Sequence, residues 1–505
     1  MVDQVRFPPS IGGSGKIYTN DANPVTGMFG GGHRINFFPI QSDMIAAAGY
    51  VSQYAQAIDG AKANADRAED AKGYVEAVAD AYNVNLLEQF KRKATLGLDF
   101  IEGRYWVDDG ERLDTNNISE IFSVVRSTPK TTQGPVSQSV EFGTDVLARE
   151  WQLGEPLGAS IHRNSQNLFL HSDDFSKSEW SSSTSLGEIK AGEMSVLGKP
   201  YARYDDFSFS GSLAFLQNLS IPIPAETNVT LSVHVSDETN VRYVVFNMGN
   251  SHRVVVDRQS GTVTNDGGAL STFIYLRKSL NGERIELTAM FSTEQSRFGV
   301  YFRKSNNVSY NENWVVGDVV SLIGMQLETG QGATPHITTG AAPVTRNSDQ
   351  IFRTSDGQFD AQKGTFLVKY KKPVGSFKYV LGLGDGNNEE INIGNSSVAG
   401  TSINIRAAGV NTGLSPTTDV DEGENVIAGL TYEQVNNEFL IRFFANGVYA
   451  GSRSIERLPT GFLNNIAIGR RRANSNILHA DTSVAYVMYS PLSFSNQEMQ
   501  ELTSL

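Results

Sequence analysis

The side chains in this sequence best suited to chemistry are carboxylates, and their spacing argues against catalysis. Cleaving a glycosidic bond by retention needs two carboxyl groups about 5 Å apart, one as acid and one as nucleophile. Asp419, Asp421, Glu422 and Glu424 gather around Gly423 in a turn-like context and read as a solvated loop. Glu389 and Glu390 are adjacent, so an extended strand sends them to opposite faces. The seven histidines show no HExxH or other metal-ligand spacing, and His33 and His162 read as hydrogen-bonded structural groups. Gly15-Lys16 has the outline of a phosphate-binding loop, but Ile17 stands where a magnesium-holding hydroxyl is required and Ser10 where the first glycine belongs. Two groups suit binding better. Asp385, Asn387 and Asn388 follow Leu383 in a glycine-rich loop whose oxygens would suit calcium or a sugar, although a polar hairpin tip is the preferred reading; no other cofactor is expected. Arg470, Arg471 and Arg472, with Asn474 beyond them, form a cationic cluster that fits either anionic surface sugars or an interchain charge contact.

The elements that must position these groups follow from composition. A chain of 505 residues divides into about three domains. With no cysteine, disulfides, zinc-thiolate sites and thiol catalysis are excluded together, which fits assembly in a reducing cytoplasm. Forty-eight glycines against 19% charged residues is the composition of short strands joined by tight turns. A net charge of -13 argues against nucleic acid as a partner. No apolar run approaches the roughly 18 residues of a membrane span, and Pro8 and Pro9 lie where an export signal would have its apolar core.

Residues 1–43, rich in glycine and proline, read as an irregular leader that orders against a partner surface through Phe29, Phe37 and Phe38, with His33 and Arg34 beside them. Residues 44–95 carry a heptad seam: Met44, Ala47, Val51, Tyr54, Ile58, Ala61, Ala65, Ala68, then Val75, Ala79, Tyr82 and Leu86. One amphipathic helix cannot cover its own stripe, so copies of itself are expected to cover it; heptads by themselves fit a dimer as well as a trimer. Residues 96–165 read as a β-rich neck, which the sequence leaves free to join a later domain. Strand runs with Gly and Asn turns fill 166–345 and again 346–505. Asn446-Gly447 is the sharpest hairpin signal, and Asn496 to Thr503 suggests a closing helix.

Several of these stretches resemble phage tail-fibre and tailspike proteins. Asn167-Leu168-Phe169-Leu170-His171-Ser172-Asp173-Asp174-Phe175 with Trp180 resembles the opening of a carbohydrate-binding-like sandwich, and Gly324 to Glu328, Ala333 to Ile337 and Val344-Thr345-Arg346 resemble its close. Gly364-Thr365-Phe366, the Phe443 to Tyr449 hairpin, Ile466 to Gly469 and Val487 to Leu492 resemble a laminin-G or concanavalin-like jelly roll. Gly15 to Tyr18 and Gly31 to Arg34 resemble tail-fibre leaders. The Glu-x-Asp-x-x-Glu strand of concanavalin-like glucanases is absent. The fold expected is mainly β with an N-terminal coiled-coil helix, two tandem antiparallel β-sandwich or jelly-roll domains standing on a trimeric stalk. The resemblance implies a homotrimeric virion protein made in the host cytoplasm. Residues 1–43 would hold it to a tail or baseplate protein, and its C-terminal sandwiches would meet host surface polysaccharide or another receptor. A purely structural tail or collar fibre and a polysaccharide-degrading tailspike are the alternatives.

Overall fold

The computed structural model describes residues 3–135, 139–182, 190–194, 200–205, 210–211, 213–249, 252–265, 272–279, 282–306, 312–354, 359–375, 378–385, 389–396, 400–407, 409–416, 420–462, 464–470 and 480–504. The chain is mainly β with one long N-terminal helix, and it divides into two compact units, Met1–Asn85 and Leu86–Leu505.

In the first unit the helix α1 (His33–Lys93) begins eleven residues before the Met44 start expected from the heptads. His33, Arg34, Phe37 and Phe38 therefore lie on the helix, correcting their placement in an irregular leader. Pro39 opposes a helix interior, since it lacks an N–H and crowds the carbonyl four residues back. It sits in the second turn of α1, and the helix continues through it. What precedes α1 is ordered against the chain's own helix. Strands Gln4–Arg6 and Ile17–Thr19 pair antiparallel. Between them a 3-10 turn at Pro9–Ile11 stops at Gly12, which takes φ 82°. Asp43 latches this hairpin, accepting from Ser14 N (2.8 Å), Ser14 Oγ (2.6 Å) and Tyr18 Oη (2.9 Å). Lys16 Nζ donates to Asn36 Oδ1 at 2.7 Å, so the lysine of the phosphate-loop outline is committed to structure.

Among the described residues the second unit holds three hydrophobic clusters, two of them enclosed between sheets. One lies between a six-stranded sheet ordered Ser181–Ser182, Leu213–Ile223, Gln295–Arg303, Tyr243–Met248, His252–Asp257, Val263–Asn265 and another ordered Lys190–Met194, Pro200–Tyr204, Val320–Thr329, Asn228–Ser236, Gly282–Met290, Thr272–Ser279. Alternation sets the faces: Val244, Phe246 and Met248 point into this core with Phe298, Val300 and Phe302 of the neighbouring strand. The other core is enclosed by a ten-stranded and a seven-stranded sheet. The main path of the larger sheet runs Val448–Ile455, Glu438–Ala445, Asn425–Val435, Lys363–Lys371, Thr482–Ser490, Leu96–Asp99, Arg104–Asp108, Arg112–Thr115. Strand Glu155–Ile161 also pairs with Thr482–Ser490, and Arg149–Gln152 with Glu155–Ile161.

Residues 96–165 are thus largely built into the C-terminal sheets. Leu96 pairs with Tyr489 and Asp99 with Tyr486, while Ser123–Val125 joins the seven-stranded sheet beside Gln350–Thr354. The Asn446-Gly447 hairpin forms with both residues at positive φ, 47° and 76°, as a type I′ turn requires. The closing helix α2 (Asn496–Thr503) starts with a capping box between Ser495 and Glu498. It buries Met499 and Leu502 in a cluster with Leu86, Phe90, Trp106, Leu367, Ile427 and Met488. Leu86, expected on the interchain seam, therefore belongs to this internal cluster, because the sheet face beneath the end of α1 offers it apolar partners.

Candidate functional site

The expected jelly-roll loop is knitted into its own framework. Asp385 N donates to the carbonyls of Glu389 and Thr460 at 3.0 Å each, and Asn465 Nδ2 donates to Asp385 Oδ1 at 2.7 Å. Glu389 receives both Arg457 nitrogens at 2.8 Å. A Cβ on Gly461, at φ +71°, would stand 1.9 Å from Asp385 Oδ1, so the carboxylate fills the space a side chain would need. Asn387 and Asn388 lie outside the described residues, as do Arg471, Arg472, Asn474 and Asp419. Arg470 is half-buried with its guanidinium 5.5 Å over the Phe352 ring. Glu422 accepts from Gly375 N at 3.0 Å. Glu390 is buried, 3.5 Å from Arg406. Among the described residues no group of three or more His, Asp or Glu could hold a metal ion.

On the first unit, Phe29, His33, Arg34, Phe37 and Phe38 are all exposed, Phe38 by 75%. Met44, Val51, Tyr54 and Ile58 are exposed by 53–64%, Ala61 is exposed and Ala47 half-buried. Ala65, Ala68, Val75, Ala79 and Tyr82 lie on α1, with side chains outside the described residues.

Two networks of buried charge in the second unit join stretches distant in the chain. Asp349 accepts from Arg126 Nη1 (2.9 Å), Lys130 Nζ (2.6 Å) and His162 N (2.9 Å). Burial alone would raise its pKa, but Lys130, Arg346 and Arg126 outweigh it and hold the carboxyl below the ordinary range. Burial pushes the Lys130 ammonium down to about 8 against the pull of Asp349. Asp481 takes Arg163 N and Nη1 at 2.7 Å each and also bonds Lys378, and these cations hold it well below the usual carboxylate range despite burial. His162, with Lys130 Nζ at 3.2 Å and Ser160 Oγ at 3.3 Å, is the structural histidine the sequence suggested. Next to this network a cleft lined by Trp151, His234, Arg284, Glu286 and His336 encloses about 100 Å³. That holds a few waters and falls short of the roughly 300 Å³ of a small-molecule site.

A groove of ligand size, about 630 Å³, lies on the outer face of the ten-stranded sheet. Its floor is set by register: Lys369 pairs with Tyr486, Tyr486 with Asp99, and Lys371 with Asn425. Alternation along Lys363–Lys371 sends Val368 and Tyr370 into the core and Lys369 and Lys371 to the groove, both half-buried. Lys91, on the last turn of α1, forms one end and pairs with Asp99 at 3.2 Å. Burial, then the neighbouring Lys371, pushes the Lys369 pKa down. Burial, then Asp99, pushes the Tyr486 phenol above its ordinary value, and its buried hydroxyl makes no hydrogen bond among the described residues. The lip is the hairpin between Arg149–Gln152 and Glu155–Ile161, turning through Leu153 at φ 52° and Gly154 at φ 87°. A leucine in that region costs roughly 1–2 kcal/mol, and this one is 50% exposed. The sequence reading missed the groove because its residues come from five separated stretches. The local signal available was Leu153-Gly154, a hairpin turn with leucine where Asn or Asp is usual.

No family model and no curated protein matches the chain. Solved structures similar to it include the IT-sialidase CBM40 of Ruminococcus gnavus bound to α2,3-sialyllactose (16% identity, 29% of this chain and 84% of that one, TM-score 0.25). A leech intramolecular trans-sialidase matches at 16% identity over 29% of this chain and 24% of that one, TM-score 0.24. A SAP-like pentraxin from Limulus polyphemus matches at 10% identity over 30% and 75%, TM-score 0.24. Likeness at this level says nothing about this chain's ligand.

Proposed function

We propose that this protein is a trimeric phage tail-fibre adhesin, held to the virion through its first unit and meeting host surface glycan through the β-structure of its second. The observation that carries the reading is the bare seam of α1. Met44, Val51, Tyr54 and Ile58 recur at heptad spacing and are each more than half exposed in the single chain. Such a stripe is stable in water when copies of the helix cover it. Phe37 and Ile40 stand seven residues before Met44 and Ala47, so the seam runs back through them, and Phe37 joins the coil rather than the anchor. Phe29 and Phe38 remain as apolar anchors for a tail protein, beside Arg34. The absence of a paired-carboxylate strand favours binding over hydrolysis.

The purified full-length chain should have a native mass three times its 55.0 kDa and should slow adsorption of the virus to its host. A monomer at micromolar concentration refutes the stalk. Unchanged adsorption in the presence of excess trimer refutes the adhesin, leaving the structural-fibre alternative.

A further inference from the structure

The groove over Tyr486 has a polar floor, two cations without partners among the described residues and a strained lip, and the fold requires none of these. Neither the Lys369 nor the Lys371 ammonium makes a hydrogen bond or ion pair among the described residues, although the two face the same side two positions apart. Like charges so placed repel, and a ligand carboxylate between them would relieve both. Beside them Tyr486, 6% exposed, has a hydroxyl with no hydrogen-bond partner among the described residues. Leaving such a group buried and unpaired is costly, and a ligand hydroxyl would satisfy it. Asn425 adds an exposed amide at the rim, suited to ligand hydroxyls.

We propose that this groove is the glycan site and that its ligand is an acidic saccharide, a hydroxyl-rich chain with separated carboxylates. The proposal deepens the adhesin reading and rests on it. Lys369 and Lys371 take a carboxylate, Tyr486 and Asn425 take hydroxyls, and Leu153 covers a sugar face from the lip. Glu102 and Glu155 are exposed in the groove wall, so the ligand's carboxylate belongs at the two lysines and its neutral hydroxyls against the acidic wall. A strained, exposed leucine at the lip fits a residue kept for contact rather than for folding.

The test measures binding of the full-length protein to polygalacturonate and to neutral dextran. Polygalacturonate should bind in a salt-sensitive way and dextran weakly. The Lys369→Ala/Lys371→Ala variant should bind polygalacturonate about tenfold or more weakly, the loss expected for one charged hydrogen bond. Leu153→Gly relieves the backbone and so folds at least as well, yet should also bind more weakly. Equal binding by both variants overturns the groove. If the protein prefers dextran, with no effect of either variant, glycan binding stands and the acidic site falls. If it binds neither polymer and does not attach to host cells, the adhesin reading falls with it.

Discussion

Replacing Asp349 by alanine tests whether the neck and the C-terminal sheets are joined by buried charge. Arg126 and Lys130, 1% and 0% exposed, would lose their shared carboxylate. Arg126 cannot give up its proton and falls back on the carbonyls of Thr128, Phe142 and Gly143, which it already contacts. Lys130 retains Ser160 O and His162 Nδ1 and can become neutral. Neutralising an ordinary lysine at pH 7 costs about 5 kcal/mol, at about 1.4 per pH unit over roughly 3.4 units, which sets a ceiling for that residue. Losing one member of a buried pair costs about 3–5 kcal/mol, so a loss near 4 kcal/mol is expected. Urea unfolding of the full chain, followed by fluorescence of the buried Trp106 and Trp314, measures it. The pH dependence is the sharper readout. Where the unfolded lysine keeps its proton and the folded one does not, stability rises by about 1.4 kcal/mol per pH unit. In the wild type that slope begins near 8, the Lys130 value. In the variant it should already be present between pH 7 and 8. A loss below about 1 kcal/mol, or no new slope, refutes the reasoning.

Val51→Asp with Ile58→Asp should give monomers by native mass measurement, because buried like charges would surround the helix axis; a persisting trimer removes the seam. Asp43→Ala should free the leader hairpin and speed limited proteolysis of residues 3–32. Hydrogen bonds from Ser14 come first in holding the Asp43 pKa below its usual value, so the latch should hold above about pH 4 and loosen as pH falls below it. Asp385→Ala should lower the melting temperature through loss of the Asn465 bond while leaving polygalacturonate affinity unchanged; a large affinity loss would restore that loop as the site. The acid limb of unfolding should fall below about pH 4, since Asp349 and Asp481 keep their charge in the folded state beyond the unfolded value.

The elements whose signals are local were legible in the sequence. The β character of the second unit shows in its alternating strands, and the Asn446-Gly447 turn needs only two residues that tolerate positive φ. The heptad period of α1 was legible because side chains three and four apart share a face whatever else surrounds them. Its start was misplaced because Pro39 locally opposes a helix, and hydrogen bonds to the hairpin at Asn36 and Asp43 are invisible in a one-dimensional pattern. Tertiary structure decided what depends on partners distant in the chain. Leu96–Asp99 completes a sheet with Thr482–Ser490, so a fragment cut at residue 346 would leave that strand's edge unpaired, and 96–165 cannot be read as a separate neck. Asp385 offers the oxygens of a ligand in sequence, with a polar hairpin tip the preferred reading, and only the fold shows Asn465, Thr460 and Gly461 closed around it. The groove over Tyr486 had no motif because sheet register, and not sequence spacing, places Lys369 beside Tyr486 and Tyr486 beside Asp99. Sequence fixes which face of a strand a side chain takes, since that depends on the chain's own period of two; which side chains meet there depends on pairings between strands hundreds of residues apart.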